Sequence, residues 1–326
     1  MLSFRPVKKL SIVIPFFNER ENLDRIYDEC TRMYRTSLPE YEIEYLFMDN
    51  HSTDGSFDVA ARLAQSNPQV KVVRLSRNFG YQANILMGYV QSSGDAVIQL
   101  DADGEDDPAL IPQLVRKWEA GYRVVYGVRR TRAESSLMTL QRKLFYRAVN
   151  ALSTVAIPVD AGDFRLMDRQ VIEAIKHFKE SKIYLRGLIA FAGFEQIGIT
   201  YDRRPRFKGE SKFSWWDYVS LAWTGLVSFS SKPLRLVTWL GLLISGVSFA
   251  GFLFYLWLYF FSGVPVRGFT TLILVQLLLA GVQLLCVGLM GSYIGFIFDE
   301  VKRRPQGIIE CIQTGDQKTF PVMTPE

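Results

Sequence analysis

Along the first 130 positions, apolar residues come in short blocks separated by segments in which they recur at every third or fourth place. The blocks LSIVIPFF (10–17), EIEYLFMD (42–49), VKVVRL (70–75), AVIQLD (96–101) and RVVYGV (123–128) predict strands, the middle ones apolar enough to be buried on both faces. Between them, NERENLDRIYDECTRMY, DGSFDVAARLAQ, YQANILMGYVQ and PALIPQLVRKWEA predict helices. Strand and helix alternating at this spacing predict an α/β fold built on a doubly wound, mostly parallel sheet.

A different pattern begins at Leu236. No charged residue occurs from Leu236 to Val266, and none from Gly268 to Phe298. A helix needs about 20 apolar residues to cross the hydrocarbon core, so the two stretches predict a two-helix transmembrane hairpin turning at Arg267. Lys232 and Arg235 precede the first stretch, and Lys302, Arg303 and Arg304 follow the second. Basic flanks on both outer ends predict a multi-pass protein of the inner (plasma) membrane, with its catalytic domain cytoplasmic. Upstream, Trp215, Val219, Ala222, Trp223, Leu226 and Phe229 recur at helical intervals. That spacing suits an interfacial amphipathic helix in contact with membrane lipids, or an amphipathic core helix. The expected domains are a catalytic domain (1–210), a juxtamembrane region (211–233), the hairpin (234–300) and a cytoplasmic tail (301–326).

Composition narrows the function. The net charge of +5 comes from interleaved basic and acidic residues, so nucleic acid is not an expected partner. Cys30, Cys286 and Cys311 are too scattered for a disulfide framework or a metal-type pair. KKLSIVIPFFNE carries a short apolar core and no small-residue cleavage site, which argues against a signal peptide. The 301–326 tail and the basic segment RRTRAESSLMTLQRKLFYRAVN leave a homo-oligomer open.

In open sheets of this kind, ligands sit at the carboxyl ends of the strands. Polar groups gather there: Asn18 and Glu19, Asp49 and Asn50, Arg77 and Asn78, Asp101 and Asp103. QLDADGEDDP packs Asp101, Asp103, Glu105, Asp106 and Asp107 into seven residues. If the backbone stays extended through 101–105, Asp101, Asp103 and Glu105 share one face and offer hard oxygens to Mg²⁺ or Mn²⁺. Asp106 and Asp107, followed by Pro108, are expected to cap the next helix.

The ordered motifs IVIPFFNE, MDNHSTDGS, RNFGYQANILMG, GDAVIQLDADGEDDP, VVYGVRR, VDAGDFRLMDR and RPRFKGESK resemble those of family 2 glycosyltransferases of the GT-A fold. Within that family they are most similar to the polyprenyl-phosphate enzymes, relatives of dolichyl-phosphate mannose synthase and bacterial bactoprenol glucosyltransferases. The resemblance covers residues 8–304. It implies that Pro15, Phe17 and Glu19 line a nucleotide pocket, that Asp49 binds base or ribose, and that Asp101 and Asp103 hold a metal and the donor diphosphate. Glu105 stands where the family usually has Gln, and Asn50-His51 departs from the usual second motif, leaving base selection open. For His51, base contact and an exposed loop position both stand; His177 reads as a surface residue.

The implied partners are a nucleotide-sugar donor and a polyprenyl phosphate acceptor. The first expectation is UDP-glucose, with UDP-hexosamine, UDP-aminoarabinose and GDP-mannose open. A phosphate monoester is largely dianionic at neutral pH, so it needs cations to place it more than a base to deprotonate it. Arg129, Arg165, Arg206 and Lys212 are the expected phosphate anchors, and Asp160 or Asp163 the acid that serves as base or orienting group. The expected reaction is a single inverting displacement. Two competitors are a processive polysaccharide synthase, disfavoured because QRKLF is no QxxRW motif, and a non-catalytic membrane adaptor.

Overall fold

The computed structural model describes residues 7–130, 161–178, 180, 183–204, 232–262 and 268–321. Asp160, Arg206, Lys212, Arg267 and the aromatic segment up to residue 231 lie outside them. Five strands fall on the apolar blocks: β1 (Lys9–Phe16), β2 (Glu42–Asp49), β3 (Val70–Leu75), β4 (Ala96–Gln99) and β5 (Val124–Arg129). Between them lie α1 (Leu23–Ser37), α2 (Ser56–Ser66), α3 (Tyr81–Gln91) and α4 (Ile111–Glu119). There follow β6 (Ala161–Asp168), α5 (Arg169–Lys176), α6 (Leu185–Phe191) and β7 (Gln196–Tyr201). Two long helices, α7 (Lys232–Ser262) and α8 (Phe269–Lys302), precede β8 (Ile309–Thr314) and β9 (Gln317–Thr319).

Local chemistry accounts for these elements. In α1, the buried residues Leu23, Ile26, Cys30 and Met33 fall three or four apart and form one apolar face. Asp107 accepts from the Ala109 N–H at 2.9 Å, and Pro108 sets the first turn of the short helical segment leading into α4. Along β1, Leu10, Ile12, Ile14 and Phe16 pack in the core beneath α1, α2 and α4. Val13, with Leu46 and Met48 of β2, packs in the core on the other face. A strand buried on both sides needs an apolar residue at almost every position, as its sequence has.

All the strands join one sheet, ordered β7-β5-β6-β4-β1-β2-β3-β8-β9. β1 pairs in parallel with β2 and β4, β2 with β3, and β5 with β7. β6 runs antiparallel between β4 and β5, and β8 runs antiparallel to β3 and β9. The sheet is therefore mixed, and the expectation of a mostly parallel one describes its first five strands. The strand order reverses at β1, since β2 and β3 lie on one side and β4 on the other. In open sheets a reversal of this kind leaves a crevice at the carboxyl ends of the two strands, here β1 and β4.

The two long helices expose Trp239, Leu243, Phe249, Phe254, Leu284 and Ile294, among other large apolar side chains. Among the described residues, Leu279–Lys302 is the one stretch long and apolar enough to cross a membrane, and Val237–Gly251 is a shorter apolar segment. Residues 309–319, expected above to belong to a tail, instead extend the sheet beyond β3.

Candidate functional site

The crevice between β1 and β4 is framed by backbone in sparsely populated conformations. Asn18 (φ 56°) and His51 (φ 64°), just past β1 and β2, are left-handed without being glycine. Both are held there by neighbours. Asn18 Oδ1 accepts from Thr53 N at 2.8 Å, and Ser52 Oγ accepts from Asn18 N at 3.0 Å. Asn50 Nδ2 donates to Asn78 Oδ1 at 2.8 Å while its Oδ1 accepts from Phe79 N at 3.0 Å. A carboxylate at position 50 could not donate to Asn78, so the departure to asparagine serves this amide clasp between the β2 and β3 loops.

The acidic run does not stay extended. Gly104 turns the chain with φ 72°, and Asp103 Oδ1 accepts from the Glu105 N–H at 3.1 Å, closing a tight turn. The shared face expected for Asp101, Asp103 and Glu105 is thereby lost, and Glu105 pairs with Arg203. Among the described residues no three Asp, Glu, His or Cys side chains gather closely enough to hold a metal by themselves. Asp106 is no helix cap either: it is fully buried, accepts from the Tyr201 hydroxyl and lies 3.6 Å from Arg203 Nε. Its Oδ2 has no hydrogen-bond partner among the described residues. Gly127 makes this possible, because a Cβ there would stand 2.6 Å from the Tyr201 ring.

Asp101 sits at the end of a hydrogen-bonded line that starts in the core. Tyr89 donates to Gln99 Oε1 at 2.5 Å, Gln99 Nε2 donates to the Tyr81 oxygen at 3.2 Å, and Tyr81 donates to Asp101 Oδ1 at 2.6 Å. Burial, then the charges of Asp103 and Asp106, push the Asp101 carboxyl up to about 8. Of the strongest forces on it, only the Tyr81 hydrogen bond favours the ionised form. Carboxylates crowded together at a strand end suit a hard divalent ion, and Mg²⁺ typically takes one or two of them plus substrate phosphates. The residues present fit such an ion through Asp101 and Asp103, without Glu105.

Asp163 has the opposite environment. Its carboxylate meets Arg186 twice, at 2.9 and 2.8 Å, and Arg165 Nη2 at 3.6 Å. Burial favours its neutral form, but Arg186, Arg165 and Arg129 outweigh that and hold it at about 2. Arg165 is itself buried and donates to Gly162 O at 2.8 Å, so it braces the β6 backbone from within the sheet. Arg129, at the end of β5, lies near Asp106 and Tyr201.

Pro15 is buried within β1, whereas Phe17 and Glu19 are half-buried at its end, and Glu19 Oε2 accepts from Asn22 Nδ2 at 2.6 Å. Asp49 is fully buried beneath the rim. It accepts from Ser52 N at 2.8 Å and lies 3.7 Å from Arg74 Nη1; burial raises its pKa despite those partners. Tyr81, Asp106, Arg186 and Tyr201 are not legible as site residues in the sequence. Their signal is tertiary, since each reaches the site from a different element.

The glycosyl transferase family 2 profile matches residues 11–176. The bactoprenol glucosyl transferase of Shigella phage SfII is 38% identical over 312 residues, covering 94% of this chain and 99% of that protein. A prophage bactoprenol glucosyl transferase homolog of Escherichia coli (strain K12) is 34% identical over 309 residues, covering 94% and 99%. Among solved structures, the mannosyltransferase PcManGT from Pyrobaculum calidifontis, in complex with GDP-Man and Mn²⁺, superposes with a TM-score of 0.50 at 19% identity. That match covers 71% of this chain and 65% of the other, and it speaks for the fold. With a profile match over half the chain and relatives aligned over more than nine-tenths of it, this protein belongs to glycosyl transferase family 2 and is a glycosyltransferase.

Proposed function

We propose that the protein transfers a sugar, with UDP-glucose the first-choice donor, to a polyprenyl phosphate at the cytoplasmic face of the bacterial inner membrane, with Mg²⁺ or Mn²⁺ and with inversion. The acceptor reading is supported by relatives named bactoprenol glucosyl transferase along nearly their whole length. The observation that carries the chemistry is Asp101, crowded by Asp103 and Asp106 at the β1/β4 crevice and short of positive charge.

Asp101 and Asp103 would hold the ion and through it the donor diphosphate. The ion, when bound, supplies Lewis-acid stabilisation of the departing nucleoside diphosphate. Pro15, Phe17, Glu19 and Asp49 would receive the nucleoside. A lipid phosphate oxygen forms a bond to the anomeric carbon as the bond to the diphosphate oxygen breaks, and the leaving electron pair departs with the nucleoside diphosphate. The acceptor arrives already ionised, so no proton need be removed. Asp163, held at about 2, is too weak a base to take one; its work is to fix Arg186 and Arg165. Arg129, Arg206 and Lys212 remain the proposed anchors for the acceptor phosphate.

Topology supports both long helices as spans. The chain leaves the sheet after β7, passes through α7 and α8, and returns as β8 to the same sheet. A return to the same sheet suits an even number of crossings, which supports a hairpin over a lone span. The test uses purified full-length protein in detergent with radiolabelled UDP-glucose and undecaprenyl phosphate. Lipid-linked product that vanishes with EDTA and returns with Mn²⁺ or Mg²⁺ is expected. Indifference to both ions, together with no binding of any nucleotide sugar, overturns the reading.

A further inference from the structure

The strand that follows the membrane helices reaches the nucleotide end of the crevice, and its register is broken where it does so. β8 pairs with β3 as Val73↔Ile312 and Arg74↔Cys311, but the next pair is Leu75↔Ile309. Glu310 is therefore an extra residue opposite the Arg74/Leu75 step, a β-bulge. The core records the same shift. Ile309 and Ile312 both pack against the cluster that holds Val73, although three residues apart, whereas an unbroken strand would place them on opposite faces. The approach is tight: Ile308 O accepts from Ser76 N at 2.8 Å, and a Cβ on Gly307 would stand 2.7 Å from the Met87 side chain.

Bulges re-aim side chains, and this one aims Glu310 across the sheet edge. Glu310 Oε2 lies 3.1 Å from Arg74 Nε and 3.6 Å from His51 Nδ1. Arg74 in turn lies 3.7 Å from Asp49, extends Nη2 to Ser52 O at 3.4 Å, and stacks 4.8 Å above the Phe57 ring. Lys318 of β9 approaches the same ring at 5.3 Å. His51 Nδ1 faces Leu75 O at 3.1 Å, and since a carbonyl only accepts, Nδ1 is the donor in that contact.

We infer that Glu310 is a positioning residue for donor recognition, setting Arg74 and His51 beside Asp49, so that a strand beyond the membrane helices completes the nucleoside pocket. The inference rests on the donor reading above and adds a role for a segment outside the residues matched by the family profile. On this inference Glu310 acts through Arg74 and His51 rather than on the reacting atoms, which makes its effect separable from chemistry.

Full-length wild type, Glu310→Gln and Glu310→Ala are compared for UDP binding by calorimetry, for donor and acceptor KM, for kcat and for thermal unfolding. The expected result for Glu310→Ala is about tenfold weaker UDP binding and an equally raised donor KM, roughly one charge-assisted contact. Its kcat, acceptor KM and unfolding midpoint should stay near wild type, and Glu310→Gln, which keeps the side chain's length but not the charge facing Arg74 and His51, should show most of the same loss. Unchanged UDP affinity and donor KM in Glu310→Ala overturn the inference. So does a fall in kcat and unfolding temperature together with a raised acceptor KM, which marks a merely structural strand. A wild type that binds no nucleotide overturns the donor reading and this inference with it.

Discussion

Asp101 and Asp163 lie at neighbouring strands of one sheet, where Gln99 pairs with Arg165, and each feels the other's charge. Asp163 is clasped by Arg186 and braced by Arg165 from within the protein, and it stays ionised. Asp101 has Tyr81 and three like charges, Asp103, Asp106 and Asp163, and burial with those charges raises its carboxyl to about 8. A folded chain can neutralise buried acids when it has arginines at hand, and a few ångströms away this one does so. Within the acidic loop Glu105, Asp106 and Asp107 meet Arg203 or Arg204, so Asp101 is the carboxyl on which burial and like charges prevail, whereas Asp163 is held ionised by arginines.

The hardest strike at that contrast is Asp103→Ala. If the acidic loop is where the donor diphosphate and its ion are held, transfer falls by about a thousandfold or more, in line with removal of a preorganised charge-stabilising group. Membrane insertion and the unfolding midpoint stay near wild type. Radiolabelled transfer assays on membranes, with fractionation to check insertion, give the answer. Activity within tenfold of wild type would remove the loop from the reaction.

The same kind of change in the knot should act on stability. Asp163→Asn leaves Arg186 and Arg165 facing an amide, and breaking a buried pair costs about 3–5 kcal/mol. Arg186 keeps a quarter of its side chain exposed, so solvent should cut this to about 2–3 kcal/mol. Denaturant unfolding followed across pH checks the sign. Asp163 is depressed from about 3.9, so its contribution is full above that value and fades as pH falls towards 2. Asp101 is raised, so in metal-free protein its contribution is full below about 3.9 and is lost as pH climbs through 8. Asp163→Asn should flatten the acid limb, and Asp101→Asn the limb between 4 and 8.

Cation uptake sharpens the comparison further. An ion bound by Asp101 must displace its proton, so below pH 8 the Mn²⁺ affinity of the wild type should rise by up to tenfold per pH unit and level off above it. Calorimetry in buffers of different ionisation enthalpy should show close to one proton released near neutral pH. The Asp163→Asn variant, if it folds, should keep that slope.

Much of the fold and part of the site are legible in the sequence. The first five strands and four helices follow from apolar blocks buried on two faces and from one-faced helices, which is information carried locally. Asp101 and Asp103 stand out because charge crowding at a strand end is visible in one line of text. The turn that removes Glu105 from the carboxylate face is not legible, since Gly104 and the Asp103 side chain close it where spacing alone predicts an extended chain. β8 could not be read as part of the sheet, because a short strand after two long apolar helices has its partner more than two hundred residues earlier. Arg186 and Tyr201 were missed for the same reason: a partner on another element leaves no periodic trace.

The smallest expected effect concerns the line of hydroxyls and amides behind Asp101. Tyr81 donates the hydrogen bond that favours the Asp101 carboxylate, and its own hydroxyl is raised well above its usual range by burial and by Asp101. Tyr81→Phe removes that donor and leaves Gln99 Nε2 without its Tyr81 acceptor, a loss of about 1 kcal/mol in stability. With the donor gone, Asp101 should titrate at still higher pH, because the burial and like charges that raise it are untouched. The Mn²⁺ affinity profile should therefore keep its slope and move to higher pH, weakening binding severalfold near neutrality while the plateau above it survives. That displacement separates positioning from ligation: a lost ligand lowers the plateau at every pH, whereas a lost hydrogen bond only shifts where the plateau begins. If Tyr81→Phe lowers the plateau itself, the tyrosine belongs to the ion's own coordination, and the division between the carboxyl that ligates and the hydrogen bonds that support it has been drawn one residue too early.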